Sequence, residues 1–383
     1  MAPSKTAPST IPTGGSKAAG VCRERDKAAR ASRTSLDQPF VSGILETAAG
    51  NIPQVSSGLT RTDRWGSIKA RWAIGRMRFT IDPGLYALGS PDADSPVLAT
   101  ANYKMSFDRL RESLAGRSAW ILVLDTDGIN VWCAAGKGTF GTDELVHRIQ
   151  SSRMEKVVSH RVVILPQLGG PGIAAHEVKK SVGFKVIYGP IRSDDLAAFL
   201  DNGMKASPPM RRKTFAMRER FALIPVEMVG ALKWVVLLSP VFFVLGGLVG
   251  PLDFRTGAWG HGLPLVLILF GALIAGAILT PLFLPWLPGR AFSVKGFTMG
   301  VILSGALAAL WTAGGVSRPG ALEILSWVVL GSALSAYLAM NFTGASTYTS
   351  LSGVRKEMKW AVPIEIGGAF VGICLWVVSR LSV

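Results

Sequence analysis

Long runs without charge fill the C-terminal part of this chain, and no other feature narrows its possible folds as much. Residues 234–252, 262–289 and 296–317 contain no Asp, Glu, Lys or Arg, and two further apolar runs cover 324–342 and 360–379. A bilayer core takes about 20 apolar residues per helix. The pattern therefore predicts an α-helical membrane domain of about five spans over residues 221–383. Pro281, Pro285 and Pro288 crowd the end of the second run, so that helix should stop early or kink there.

Lys and Arg placement sets the expected orientation. Arg211, Arg212, Lys213, Arg218 and Arg220 precede the first span, Arg290 and Lys295 fall in the second connection, and Arg355, Lys356 and Lys359 in the fourth. The first and third connections have Arg255 and Arg318. Basic residues stay on the cytoplasmic side. The chain is therefore expected to be a multi-pass protein of the cytoplasmic (inner) membrane, touching lipid, with its N-terminal half in the cytoplasm and its C-terminus outside. Glu227, Lys233, Glu323 and Glu365 lie at span ends or just inside, where snorkelling is the ordinary reading. A transport path would need more midplane charge.

The net charge of +16 invites a nucleic-acid reading. The basic residues, however, sit in the N-terminal stretch or flank the spans, so no nucleic-acid partner is expected. Three cysteines, Cys22, Cys133 and Cys374, are far apart and form no CxxC. That argues against a disulfide framework, a zinc site or an iron–sulfur cluster built by this chain alone.

Residues 1–60 are rich in Ser, Ala, Thr, Gly and Pro and read as a disordered basic tail. The tail lacks the apolar core of a secretory signal. Residues 61–220 read as an α/β domain. Strands are expected over 119–126, 161–166 and 185–191. Helices are expected from Thr142, as N-cap, to about residue 152, and over 174–182 and 193–201. Such alternation implies a parallel sheet.

After the first of these strands comes Asp127-Gly-Ile-Asn-Val-Trp-Cys-Ala-Ala-Gly-Lys-Gly-Thr-Phe-Gly-Thr142. Gly136, Gly138 and Gly141 match a GxGxxG dinucleotide fingerprint, but no carboxylate follows the next strand to meet a ribose. A phosphate loop fails as well, with Val131 and Gly138 at positions that need Gly and Ser/Thr. Cys133 is the more telling residue. A lone Cys is most often an inert small hydrophobe. Here small residues follow it, Lys137 would share its helix face and favour a thiolate, and the segment sits where parallel sheets bind ligands.

Asn130-Val-Trp-Cys-Ala-Ala-Gly-Lys137 resembles the cap-helix motif of the corrinoid protein of bacterial mercury methylation, a relative of the corrinoid iron–sulfur protein of the acetyl-CoA pathway. The likeness extends through Arg71-Trp-Ala-Ile-Gly-Arg-Met77, Ala101-Asn-Tyr-Lys-Met-Ser-Phe-Asp-Arg-Leu110, Gly172-Ile-Ala-Ala-His-Glu-Val-Lys-Lys180, Lys185-Val-Ile-Tyr-Gly-Pro190 and residues 341–353. The tail before residue 60 is longer than that family's pattern.

The resemblance implies a Rossmann-like corrinoid-binding domain with Cys133 as axial thiolate ligand to cobalt. Asn130, Val131, Trp132, Ala134, Ala135, Gly136 and Lys137 would form the cap over the ring, with Thr100 also at the cofactor. No D-x-H-x-x-G signature surrounds His147, His160, His176 or His261, which suits a base-off cobalamin-type corrinoid. It implies methyl transfer to Hg(II), giving methylmercury. Hg(II) needs the methyl as a carbanion or radical equivalent, and a thiolate stabilises the Co(III) that remains. A small two-cluster [4Fe-4S] ferredoxin as reductant and a folate-type methyl donor follow from the same resemblance. Residues 341–353 would be a simple connection or a contact for the cofactor domain. Two other readings stand beside this one: a membrane-anchored corrinoid methyl carrier for one-carbon or acetyl-CoA metabolism, and a nucleotide-binding scaffold without catalysis.

Overall fold

The computed structural model describes residues 34–315, 318–345, 348, 349 and 351–382. The chain divides into two compact units, 1–67 with 77–212, and 68–76 with 213–383. Each is considered by itself.

Among the described residues of the first unit, seven strands make one sheet: β1 (Val41–Thr47), β2 (Gly50–Val55), β3 (Gly84–Leu88), β4 (Val97–Ala101), β5 (Ala119–Leu124), β6 (Val162–Leu165) and β7 (Lys185–Tyr188). The spatial order is β1-β2-β3-β5-β4-β6-β7. β5, β6 and β7 run parallel, as expected, and β4, which was not anticipated, lies parallel between β5 and β6. β1 pairs antiparallel with β2, and β3 antiparallel with β5, so the sheet is mixed and not wholly parallel. The structureless tail expected through residue 60 also needs correction, because β1 and β2 form a hairpin inside it. Thr47 Oγ1 accepts from Ala49 N and donates to Gly50 O, fixing the turn, and Gly50 takes a positive φ of 113°. Residues 1–33 lie outside the described residues.

Both faces of the sheet are covered, which is why β5 reads as an unbroken apolar run. Side chains alternate from face to face. Trp120, Leu122 and Leu124 join one core with Phe140, Leu145, Ile149 and Val178, from helices α3 (Val131–Lys137), α4 (Thr142–Ser151) and α5 (Ala175–Val182) and their connections. Ala119, Ile121 and Val123 join the other, with Phe107 and Leu110 of α2 (Lys104–Ser113) and Leu196 and Phe199 of α6 (Leu196–Asp201). Thr142 does not cap α4. Gly141 holds that position, and the Thr142 hydroxyl accepts from Ala174 N at 2.8 Å instead.

A buried ionic cluster ties the start of α1 (Arg61–Arg71) to α2. Asp63 accepts from Lys104 at 2.5 Å and from Arg111 at 2.8 Å, and both cations also reach Asp108. Arg111 donates further to the carbonyls of Ser56 and Gly58. Burial pushes the Asp63 carboxyl up, but the hydrogen bonds and charge of Lys104, with two hydrogen bonds from Thr60, outweigh it and hold it well below the usual carboxylate range.

In the second unit, five helices among the described residues are long and apolar enough to cross a membrane: Met217–Leu248, Phe254–Phe283, Phe292–Ala313, Ala321–Thr343 and Ser352–Leu381. The second ends just past Pro281, before Pro285. The fourth is approached closely through small residues. A Cβ on Gly296 would stand 2.7 Å from Ser335 O, and one on Gly300 2.6 Å from Ser332 Cα. Several charges are not placed as snorkelling predicts. Glu323 is buried and accepts from His261 at 2.8 Å. Lys295 is no loop charge, since its ammonium donates to the carbonyls of Leu284 and Leu287. Glu357 takes Ser293 N and Oγ, capping the third helix from the fifth. Of 341–353, residues 346, 347 and 350 lie outside the described residues.

Candidate functional site

The four parallel strands have the order β5-β4-β6-β7. The chain runs from β4 to one side, then crosses back over β4 to reach β6. Parallel sheets bind ligands at the carboxyl ends of strands around such a reversal. The crossing segment is the one that contains Cys133.

Asn102, just past β4, builds the crossing. Its Oδ1 accepts from Thr126 N (3.0 Å), Thr126 Oγ1 (2.8 Å) and Gly128 N (3.0 Å), and its Nδ2 donates to Asp125 at 3.2 Å. Asp127 and Gly128 both take positive φ, 55° and 72°. The chain thus turns sharply off β5, and a Cβ on Gly128 would meet Thr80 at 2.5 Å. Glu144 of α4 braces the same turn, accepting from Asp125 N at 2.8 Å and from Arg148 at 2.7 Å.

The turn delivers Asn130 as N-cap of α3. Its side chain accepts from the backbone N–H of Cys133 at 3.0 Å, meeting one of the donors a helix start leaves unpaired. Gly138, at φ 81°, ends the helix in the left-handed conformation. Phe140 then anchors the exit. It is fully buried, and a Cβ on Gly169 would lie 2.5 Å from its ring. Gly172 passes so close that a Cβ there would overlap Phe140 O. The glycines of the apparent GxGxxG thus serve a helix surface (Gly136), a helix end (Gly138) and the start of the next helix (Gly141).

The seven-residue helix has two unlike sides. Ala134 and Ala135 are buried in the core beneath. They seat the helix, so these two residues of the expected cap turn their side chains to the core. Cys133, Gly136 and Lys137 are exposed, with Val131 and Trp132 half-buried. A Cβ on Gly136 would meet nothing within 4 Å, so the outer face is flat at that point. The Cys133 thiol is free, and Lys137 stands one turn further along the helix. Thr139 Oγ1, just beyond, is buried with no hydrogen-bond partner. Thr100 is buried inside β4, and its neighbours Ala99 and Ala101 join the core under α3, so its side chain turns to the other face of the sheet. His176 is a surface residue, as its surroundings in sequence implied.

The sequence reading missed Asn102. A polar residue directly after an apolar strand, in Val97-Leu-Ala-Thr-Ala-Asn102, is the signal that would have found it.

Comparison with known proteins gives a consistent partial likeness. Residues 75–200 match the family model of the CO dehydrogenase/acetyl-CoA synthase delta subunit. The chain is 32% identical over 123 residues to the acetyl-CoA decarbonylase/synthase complex subunit gamma of Methanopyrus kandleri, covering 32% of this chain and 26% of that one. It is 32% identical over 133 residues to subunit gamma 2 from Methanosarcina thermophila, covering 33% and 27%. The Archaeoglobus fulgidus gamma subunit gives 29% over 126 residues, covering 32% and 26%. The chain thus spans about a quarter of the length of the curated relatives it matches. The stretch matched by the family model stops before the first apolar helix.

Proposed function

We propose that the sheet unit is a corrinoid-dependent methyl-transfer module in which Cys133 would offer its thiolate to the cobalt. The observation that carries this is an exposed thiol on a short capped helix, at the carboxyl end of a parallel sheet, with a flat glycine beside it. Likeness to subunits of the acetyl-CoA decarbonylase/synthase complex supports the same reading. When bound, a corrinoid supplies a cobalt-held methyl group and a metal that changes oxidation state.

The chain's own residues would hold and orient that group. Cys133 offers sulfur, a strong donor. Asn130 keeps the Cys133 amide engaged and so fixes the sulfur's position. Gly136 leaves room for a planar ring, Trp132 and Val131 add apolar contact, and Lys137 brings a cation toward polar ring substituents. The acceptor in this reading is Hg(II), which arrives bound to thiols because soft metals prefer sulfur. A second reading, a methyl carrier for one-carbon or acetyl-CoA metabolism, is favoured by the names of the similar proteins and needs the same site. A ferredoxin-type reductant and a folate-type methyl donor complete the cycle. The five apolar helices anchor the module in the cytoplasmic membrane, with the sheet unit inside.

The test is direct. Full-length protein purified without oxygen should show a corrinoid visible spectrum that changes in Cys133→Ala. That variant should lose methyl transfer to Hg(II) by at least about 100-fold, beyond the loss usual for removing a supporting group around a metal. Wild-type transfer to a thiol or nickel acceptor, with none to Hg(II), selects the carrier reading. An alanine variant with full corrinoid content, unchanged spectrum and full activity removes the thiolate from the mechanism.

A further inference from the structure

Near the middle of the 30-residue helix Ser352–Leu381 stands a carboxylate that nothing in the methyl-transfer reading uses. Glu365 is 7% exposed, and neither of its oxygens has a hydrogen-bond partner among the described residues. It lines a groove of about 260 Å³ whose other walls include Phe297, Val329, Ala333, Trp360 and Ile364. The hydroxyls at the groove's edge are already engaged. Ser332 donates to Val328 O and Ser293 to Glu357. No donor lining the groove therefore serves Glu365.

A buried carboxylate without a partner is costly, and ionisable groups at such depth usually mark a function. The groove lacks the several oxygen ligands that a hard metal ion needs to replace its water. What it offers is one carboxyl group in an apolar slot, which an arriving ammonium would hold ionised, with an indole that favours cations. We propose that this groove binds a lipophilic primary amine as its ammonium ion. The ammonium donates to Glu365, and the hydrocarbon portion lies along Phe297, Val329 and Ile364. Size and charge are matched together: a hydrated cation lacks the apolar body, and a neutral lipid chain leaves the carboxylate unanswered. The inference stands apart from the corrinoid reading, since no residue of this groove belongs to the sheet unit.

The experiment uses the full chain in nanodiscs of zwitterionic lipid, with n-hexylamine and n-hexanol as probes of equal chain length, followed by calorimetry and thermal unfolding. Hexylamine should bind saturably and raise the unfolding temperature, and hexanol should do neither. Glu365→Gln should weaken hexylamine binding by about tenfold or more, as expected for loss of a charged hydrogen-bond partner, with corrinoid content unchanged. Ala333→Leu should block binding with Glu365 intact. Equal responses to amine and alcohol in the wild type mean an acyl chain or nothing specific occupies the slot, and overturn the proposal. So does equal hexylamine affinity in wild type and Glu365→Gln.

Discussion

Single residues bear unequal shares of the candidate site. Cys133 is the proposed cobalt ligand, and Asn102 holds the turn that leads to it. Three donors converge on one buried amide oxygen there. Removing it strands at least two backbone N–H groups, at a cost of about 1–3 kcal/mol each. Asn102→Ala should therefore free the turn at 125–130, read as loss of amide exchange protection at Gly128 and Cys133, and should lower corrinoid content. Unchanged protection would mean that packing of Phe140 alone fixes the helix. Cys133 was legible from the sequence because its neighbours are small and its motif specific. Asn102 was not, because hydrogen bonds across 24 and 26 residues leave no local pattern. Ala134 and Ala135 were legible as small, but which side of a seven-residue helix meets the core is set by the chain crossing and not by their identity.

At the level of elements, the buried ionic cluster joining α1 and α2 explains why Lys104 and Asp108 stand where they do. Folded Asp63 gives up its proton more readily than an unfolded aspartate, whose ordinary value is about 3.9. The cluster's contribution is thus fully present above about pH 4 and is lost as pH falls through the lower folded value. Exchange protection in α2 should hold at neutral pH and collapse in acid. In Asp63→Asn it should already be weak at pH 7, by about 3–5 kcal/mol for a broken buried pair, and should vary less with acid. The parallel strands β5, β6 and β7 were visible as apolar runs because both faces are covered. β1 and β2 were hidden by composition: Gly, Pro, Ser and Thr dominate their surroundings, and only pairing with a distant edge makes them strands. β3 runs against its neighbour β5, which simple strand–helix alternation does not anticipate.

At the scale of the whole chain, apolar length alone was enough to find all five long helices, since hydrophobicity is a sum over residues and needs no partner. Their buried charges were not readable in that way. Lys295, counted as a loop cation, closes the end of a neighbouring helix. The orientation argument survives that loss, because Arg290 and the cluster around Arg211 remain on the same side. A fluorescent reporter at the N-terminus should therefore light up in the cytoplasm, and an alkaline phosphatase fused after residue 382 should be active outside. The opposite pair of results would invert the membrane reading. The division into units also has a bearing on how the chain is made. Every strand of the sheet, among the described residues, lies upstream of Met217, so all of them are synthesised before the five long apolar helices. Domains fold as they emerge, so the sheet can begin to close before those helices are made. The strip at 68–76 is the exception: synthesised early, it must wait for helices made more than a hundred residues later.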